Sequence, residues 1–347
     1  MHIFFMNKED IIANWQEYFL SQNITGETLV TYLAYITTLL EHDVPIVFEI
    51  DHLSMLLGLD LLEIRKIINS PQSFYRNFSI PKRSGGERVI SMPYPTLLYI
   101  QRWIKSKILD KAIINDCAHG FIFNKSIITN AKVHAGQSVI LKMDIADFFP
   151  SINIKRVISI FRKFGYSNSV SFYISSLCTL NNQLPQGAAT SPTISNIIAK
   201  KFDYRLKKLA QSSNLNYTRY ADDLTFSGKY ISHKMISLVK TILSEEGFKT
   251  NENKTKLITG AGKKIVTGIS INSHSLKLPK LKKRILRQQG YYLTKYPEKV
   301  RQEVSKDPFF MERIIGKYNF WLQVEPDNVF AKNTIKELRQ ISYSLMG

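Results

Sequence analysis

Apolar residues recur at helical spacing through the first seventy positions. Ile11, Ile12, Trp15, Tyr18 and Phe19 make one apolar face, and Leu53, Leu56, Leu57, Leu61, Ile64, Ile67 and Ile68 make others. Residues 1–70 therefore read as packed helices with no chemistry of their own. From Phe74 to Pro93 the texture becomes that of a β-hairpin, turning at Ser84, Gly85 and Gly86 with Lys82, Arg83 and Arg88 around it. Leu97–Leu109 reads as an amphipathic helix, and Val139–Asp144 as a buried strand that ends in a carboxylate. Ile154, Val157, Ile158 and Phe161 form a helical stripe. Ser191 and Pro192 mark the N-cap and first position of a helix whose apolar face is Ile194, Ile198, Phe202 and Leu206. Asn216–Arg219 and Leu224–Ser227 read as paired strands, and Ser232–Glu246 as a helix ended by Gly247. Past Ser275, Leu278, Leu281 and Ile285 line one helical face, while Lys280, Lys283, Arg284 and Arg287 share another.

The chemistry concentrates at the tip of the second hairpin, Tyr220-Ala221-Asp222-Asp223. Adjacent side chains of a strand point to opposite faces, so two neighbouring carboxylates serve one site only where the backbone bends between them. Carboxylates brought so close repel unless protonated or bridged by cations, and hard divalent ions prefer oxygen ligands. A solvated Asp-Asp turn is the plainer alternative. Asp144, at the end of the apolar strand, adds a third carboxylate, as a two-metal phosphoryl-transfer centre requires.

Composition narrows the classes. Lysine and arginine number 47 against 28 acidic residues, a formal charge of +19 that attracts a polyanion; nucleic acid is the first candidate and an anionic membrane the second. No apolar run approaches the ~20 residues of a membrane span. Met1–Met6 lacks the pattern of a signal peptide, and two cysteines, Cys117 and Cys178, suit a reducing cytoplasm and offer no zinc framework. Among smaller signals, Gly187 allows close backbone approach in a tight loop, and Gln186 can hydrogen-bond a template or nucleotide. Asn130 and His134 stand four apart and would share a helical face. Asp147 reads as a helix cap or an outer group of the carboxylate site.

Three stretches in order carry a resemblance: Lys-Met-Asp-Ile-Ala-Asp-Phe-Phe-Pro-Ser-Ile at 142–152, Leu-Pro-Gln-Gly-Ala-Ala-Thr-Ser-Pro at 184–192, and Tyr-Ala-Asp-Asp at 220–223. They resemble the palm motifs of reverse transcriptases. Ile-Pro-Lys-Arg-Ser-Gly-Gly-Glu-Arg at 80–88 is similar to their fingers motif. Asn-Ala-x-x-His at 130–134 and Val-Thr-Gly at 266–268 resemble marks of the retron branch, with Ala189 where that pattern more often has proline. The motifs span roughly residues 74–275.

The resemblance implies an α+β right-hand polymerase: a helical N-terminal extension (1–70), fingers (71–137), a ferredoxin-like palm (138–274) and a helical RNA-binding thumb (275–347). It implies an RNA-directed DNA polymerase with Asp144, Asp222 and Asp223 as catalytic carboxylates and two Mg2+ ions at Asp144, Ile145, Asp222 and Asp223. Lys82, Arg83, Arg88, Phe149, Gln186 and Lys254 would meet the dNTP. Phe149 would exclude a 2′-hydroxyl, with Phe148 as the alternative gate, and Lys254 would serve the pyrophosphate, with Lys249 or Lys256 as alternatives. Asn130, His134, Val266, Thr267, Gly268, Lys280, Lys283, Arg284 and Arg287 would contact RNA. Tyr291, Tyr292, Tyr296, Tyr318, Phe320 and Trp321 would stack on bases or, for most of them, pack the core. Expected partners are a structured noncoding RNA, its RNA–DNA product, dNTPs and a separate effector protein, in anti-phage defence in a bacterial cytoplasm and not at a membrane. Other bacterial reverse transcriptases, of group II intron or diversity-generating type, and a non-catalytic RNA-binding scaffold are the alternatives.

Overall fold

A computed structural model describes residues 7–82, 85–260 and 262–346. Arg83 and Ser84 of the expected hairpin turn, and Met1–Met6, lie outside the described residues. The helical spacing at the start of the chain folds as α1 (Lys8–Ser21), α2 (Gly26–Glu41), α3 (Ile50–Leu57) and α4 (Leu61–Asn69). Asn7 caps α1 by accepting from Asp10 N at 2.7 Å, and Asp60 caps α4 by accepting from Leu62 N at 2.6 Å. Phe19, Leu53, Leu57, Ile64 and Ile67 are buried as their spacing requires, whereas Tyr18 and Leu56 are 54% and 41% exposed. Leu56 sits a hundred degrees or so around α3 from Leu57 and misses the face set by Ile50, Leu53 and Leu57.

In chain order there follow β1 (Tyr75–Pro81), β2 (Glu87–Pro93), α5 (Pro95–Lys107), α6 (Ile127–Val133), β3 (Val139–Asp144), α7 (Ile154–Lys163), α8 (Asn168–Cys178) and α9 (Ser191–Ser212). Next come β4 (Asn216–Tyr220), β5 (Asp223–Gly228), α10 (His233–Glu245), β6 (Lys256–Ile258), β7 (Ile265–Val266) and β8 (Ile269–Ser270). The chain closes on α11 (Lys280–Lys295), α12 (Pro297–Lys306), α13 (Phe310–Val324) and α14 (Val329–Met346). Contacts divide the chain into two compact units, each assembled from separate stretches. One comprises Met1–Asp116, Ile145–Tyr204 and Leu243–Lys249; the other Cys117–Asp144, Arg205–Ile242 and Thr250–Gly347. This mixture of helices and antiparallel sheet is the α+β class of a right-hand polymerase.

In the first unit a buried amide ties four segments together. Gln101 on α5 is fully enclosed; its Nε2 donates to the Tyr75 hydroxyl at 2.8 Å and to Leu177 O at 3.0 Å, and its Oε1 accepts from Ala189 N at 3.1 Å. The loop held in this way carries Gly187 at φ +123°, and a Cβ there would stand 2.6 Å from Ser91 O. Gly187 is thus required by the backbone of β2, which also donates from Ser91 N to Gln186 O at 2.7 Å. The helix after this loop begins one residue earlier than its N-cap signal indicates: Ser191 lies inside α9 and its hydroxyl donates back to Pro185 O at 2.8 Å.

In the second unit β3 is the centre of an antiparallel sheet ordered β4-β5-β3-β6. Its residues are buried except for Lys142, so it reads as an apolar run rather than an alternating one. A separate cluster of Leu286, Leu293, Ile314, Tyr318, Trp321 and Leu338 forms the core of α11–α14. Here the expected apolar face of α11 is corrected. Tyr318 donates to Leu286 O at 2.6 Å and packs with Trp321 on the Leu286–Leu293 side, which leaves Leu281 56% and Ile285 45% exposed. No helix among the described residues is long and apolar enough to cross a membrane.

The Gln101 network makes one prediction. Proline at position 189 removes the N–H that Gln101 Oε1 accepts and leaves a buried acceptor unpaired. Ala189→Pro should lower the unfolding free energy by ~1–3 kcal/mol in urea titrations.

Candidate active site

The carboxylates are brought together by strand register. Asp144, last in β3, lies directly opposite Asp223, first in β5, and Asp223 pairs in turn with Tyr220 at the end of β4. Ala221 and Asp222 form the two-residue loop between the strands, with Ala221 in the left-handed region at φ +57°. Backbone contacts hold this strained turn. Arg219, fully buried, donates from Nη1 to Ala221 O at 3.1 Å. The segment ending at Gly120 runs beside β4: Arg219 N donates to Cys117 O at 2.9 Å, and His119 N to Arg219 O at 2.7 Å. A Cβ at Gly120 would stand 2.6 Å from Ala221 N, so only glycine lets the segment approach the tip.

Three carboxylates in one place are electrostatically expensive, and the proton affinities of Asp222 and Asp223 register it. Burial first, then the charges of Asp223 and Asp144, push the Asp222 carboxyl up to about 6. Burial likewise raises Asp223, against the opposing pull of Lys142. Lys254 meets part of the charge: its Nζ donates to Asp144 Oδ1 at 2.9 Å and Oδ2 at 3.0 Å, and this raises the ammonium's own pKa. Among the described residues no three carboxylate, imidazole or thiol groups close into a ready ion cage, and on Asp144 the position of a cation is taken by Lys254. The donor chemistry nonetheless fits a hard divalent ion, because the groups are oxygen-only and carry more negative charge than Lys254 balances. Ile145, also expected at this site, is buried directly after Asp144.

Lys254 is therefore the lysine of its loop that reaches the carboxylates; Lys249 offers its backbone oxygen to Ala146 N, and Lys256 pairs with Lys142 across β6 and β3. In the other unit Phe149 is half-buried. Phe148, the alternative gate, is 3% exposed with its ring 5.7 Å from Phe248, and its place in the core removes it from that role. Asp147, at φ +46°, does not cap α7; Asn153 does, accepting from Arg156 N at 3.1 Å. Lys82 and Arg88 are exposed at the β1–β2 turn and on β2, and the Gln186 side chain is half-buried.

Several residues expected at RNA are corrected to interior positions. His134 is fully buried, its Nδ1 2.6 Å from Ser227 Oγ and its Nε2 2.8 Å from Thr218 Oγ1, so one imidazole joins both strands of the aspartate hairpin. Asn130 shares the helix but is also enclosed, with its Nδ2 3.5 Å from Thr267 Oγ1. Thr267, at φ +44°, donates to Ile127 O at 2.9 Å, while Val266 is buried with Ala131, Ile140 and Ile269. The two retron-like motifs thus pack against each other, and only the Thr267–Gly268 turn is partly exposed. On α11, Lys283 is drawn into an ion pair with Glu325 at 2.7 Å, whereas Lys280, Arg284 and Arg287 are exposed. Of the aromatics expected to stack on bases, Tyr318 and Trp321 are core; Tyr291 and Tyr292 are exposed by about half.

Arg219, Thr218, Ser227 and Gly120 escaped the sequence reading. A signal for two of them existed: Asn216 and Thr218, like Thr225 and Ser227, stand at alternate positions of their strands and make a polar face that demands partners when buried.

His134 generates a pH prediction. Burial and the neighbouring His119 push it down to about 3, below the ~6.5 of an unfolded histidine. Below pH 6.5 the unfolded chain takes up a proton that the native state refuses, so stability is lost as pH falls from about 6.5 toward 3. The loss at pH 5 is about 2 kcal/mol. Chemical denaturation at pH 5 and pH 8 should show this difference, and it should shrink in His134→Gln.

Comparison with known proteins follows the same residues. Residues 80–296 match the family described as "Reverse transcriptase (RNA-dependent DNA polymerase)". The chain is 35% identical over 235 residues to the retron Mx162 reverse transcriptase of Myxococcus xanthus, covering 59% of this chain and 48% of that protein. It is 36% identical over 219 residues to the retron Mx65 reverse transcriptase of the same organism, covering 57% and 51%. With the retron Ec86 reverse transcriptase of Escherichia coli it shares 31% identity over 253 residues, covering 72% and 79%. The matched stretch therefore spans about half the length of the two Myxococcus relatives.

Proposed function

Because the chain belongs to the reverse transcriptase family, and within it to the retron enzymes, we propose that it is an RNA-directed DNA polymerase that copies part of a cognate structured noncoding RNA into single-stranded DNA. The observation that carries the reading is the register that sets Asp144 against Asp223 with Asp222 at the adjoining turn. These three carboxylates, with Ile145 beside them, would hold two magnesium ions. Magnesium, when bound, would supply activation of the attacking hydroxyl and neutralisation of the departing pyrophosphate.

The protein's own groups have distinct tasks. Lys254, paired with Asp144 and with its ammonium stabilised by it, is the cation of this site that would serve the departing pyrophosphate. Phe149 bars a ribose 2′-hydroxyl, and Gln186 presents an amide to template or nucleotide. Lys82, Arg83 and Arg88 neutralise the triphosphate. Lys280, Arg284 and Arg287 on the exposed side of α11, with Thr267 and Gly268, follow the RNA backbone. Priming from a 2′-hydroxyl of a guanosine in the noncoding RNA would leave DNA joined to RNA. Action in the bacterial cytoplasm with a separate effector protein, in defence against phage, completes the proposal.

Two outcomes test it. Magnesium-dependent dNTP incorporation should fall by on the order of a hundredfold or more in Asp222→Asn, while Phe149→Ala should improve rNTP use relative to dNTP by about tenfold. Cells expressing the gene with its upstream intergenic region should contain a discrete short DNA whose mobility on a denaturing gel shifts after RNase. That DNA should vanish in Asp222→Asn Asp223→Asn. If primer extension on an added RNA persists without such a DNA, polymerase activity stands and self-priming falls.

A further inference from the structure

The first seventy residues differ electrically from the rest of the chain. They hold three of the 47 basic residues but ten of the 28 acidic ones, leaving 44 against 18 for the remainder. This acidic segment precedes the residues that match the reverse transcriptase family, and the electrostatic attraction to nucleic acid resides in the rest of the chain.

Within this segment α1, the end of the link after α2, and α3 enclose a groove of about 560 Å3, a volume in the range of ligand-binding clefts. Its floor is aromatic. The Trp15 ring lies 5.3 Å from Phe48, and Phe48 stacks on His52 at 5.9 Å with planes 13° apart. Tyr18 and Met55, at 54% and 78% exposed, extend the apolar surface to the mouth. Glu49 and Asp51 stand exposed on the rim at the start of α3. Asp51 has Arg65 3.7 Å away, but both side chains are more than half exposed and so weakly coupled.

An apolar floor under a carboxylate rim selects its occupant by elimination. A nucleic acid strand could stack on Trp15, yet its phosphates would face an acidic segment; an anionic lipid surface is repelled likewise. What satisfies both features is an apolar anchor flanked by cations, and Trp15 adds a ring face for a guanidinium or ammonium. We propose that this groove docks a basic amphipathic helix of a separate protein, with an aliphatic or aromatic side chain on the Trp15–Phe48–His52 floor and Lys or Arg against Glu49 and Asp51. The site is independent of the polymerase reading, since no residue proposed for nucleotidyl transfer takes part.

The test uses the full chain, freed of nucleic acid by nuclease. The probe is a fluorescein-labelled helical peptide of about 18 residues, with leucines at i, i+3, i+4 and i+7 and arginines or lysines between. Its counterpart carries glutamate at every basic position. Anisotropy should give saturable binding of the basic peptide and none of the acidic one. Affinity should drop about tenfold or more in E49K/D51K and in Met55→Lys, exposed positions whose change leaves the thermal transition in place. dNTP incorporation should be unchanged in both variants.

Equal binding of the basic peptide by E49K/D51K and the parent overturns the proposal, as does equal binding of the acidic peptide. Two further outcomes overturn it by naming another occupant. Binding that strengthens about tenfold on deletion of residues 1–6 gives the groove to the chain's own start. Self-association in sedimentation velocity that E49K/D51K abolishes gives it to a second copy.

Discussion

Like charges gathered at one end of a sheet are the constraint on which this architecture turns. Asp144 and Asp223 face each other across two paired strands and Asp222 occupies the turn beside them, an arrangement that repulsion opposes at every step. It persists because the surroundings leave the backbone no alternative. Arg219 grips the turn from within the core, the Gly120 segment lies against it, and His134 bonds one hydroxyl on each strand of the hairpin. Asp222 and Asp223 respond by holding protons more tightly, and Asp144 draws in Lys254. A site strained in this way is poised to take up positive charge, as phosphoryl transfer requires.

The same rigidity explains why two short motifs accompany the carboxylates from a distance along the chain. Asn130 on α6 and Val266–Thr267 at the β7–β8 hairpin pack into one another, and His134, just past the end of α6, bonds the polar face of β4 and β5. Of the residues expected at RNA, the Thr267–Gly268 turn and the cations Lys280, Arg284 and Arg287 of α11 are the members left at the surface.

Much of this was legible in local pattern. The strand ending at Asp144, the two hairpins and the helical ends of the chain follow from periods of two and 3.6 and from turn residues, because short-range geometry decides them. Position relative to distant segments was not legible. The spacing of Asn130 and His134 suggests a shared helical face, but it cannot say that both are enclosed or that His134 falls just past the end of α6. Leu281 and Ile285 have the spacing of a buried stripe, yet Tyr318, some thirty residues on, chooses another face of α11. Gly187 signalled a close approach without naming its neighbour, which is Ser91 of the first hairpin rather than a ligand. The apolar residues of α1 and α3 read as ordinary packing, whereas some of them line an open groove with an acidic rim.

The enclosed amide of Gln101 has a consequence for how sequences of this fold diverge. Its oxygen is committed to the N–H of residue 189 and its nitrogen to Tyr75 and Leu177, so positions far apart in the chain are bound into one structural unit. A lineage that carries proline at the equivalent of 189 has no N–H to offer, and selection there acts on the residue facing it across the core. The two positions should therefore drift as a pair, alanine with glutamine and proline with a side chain that asks for nothing.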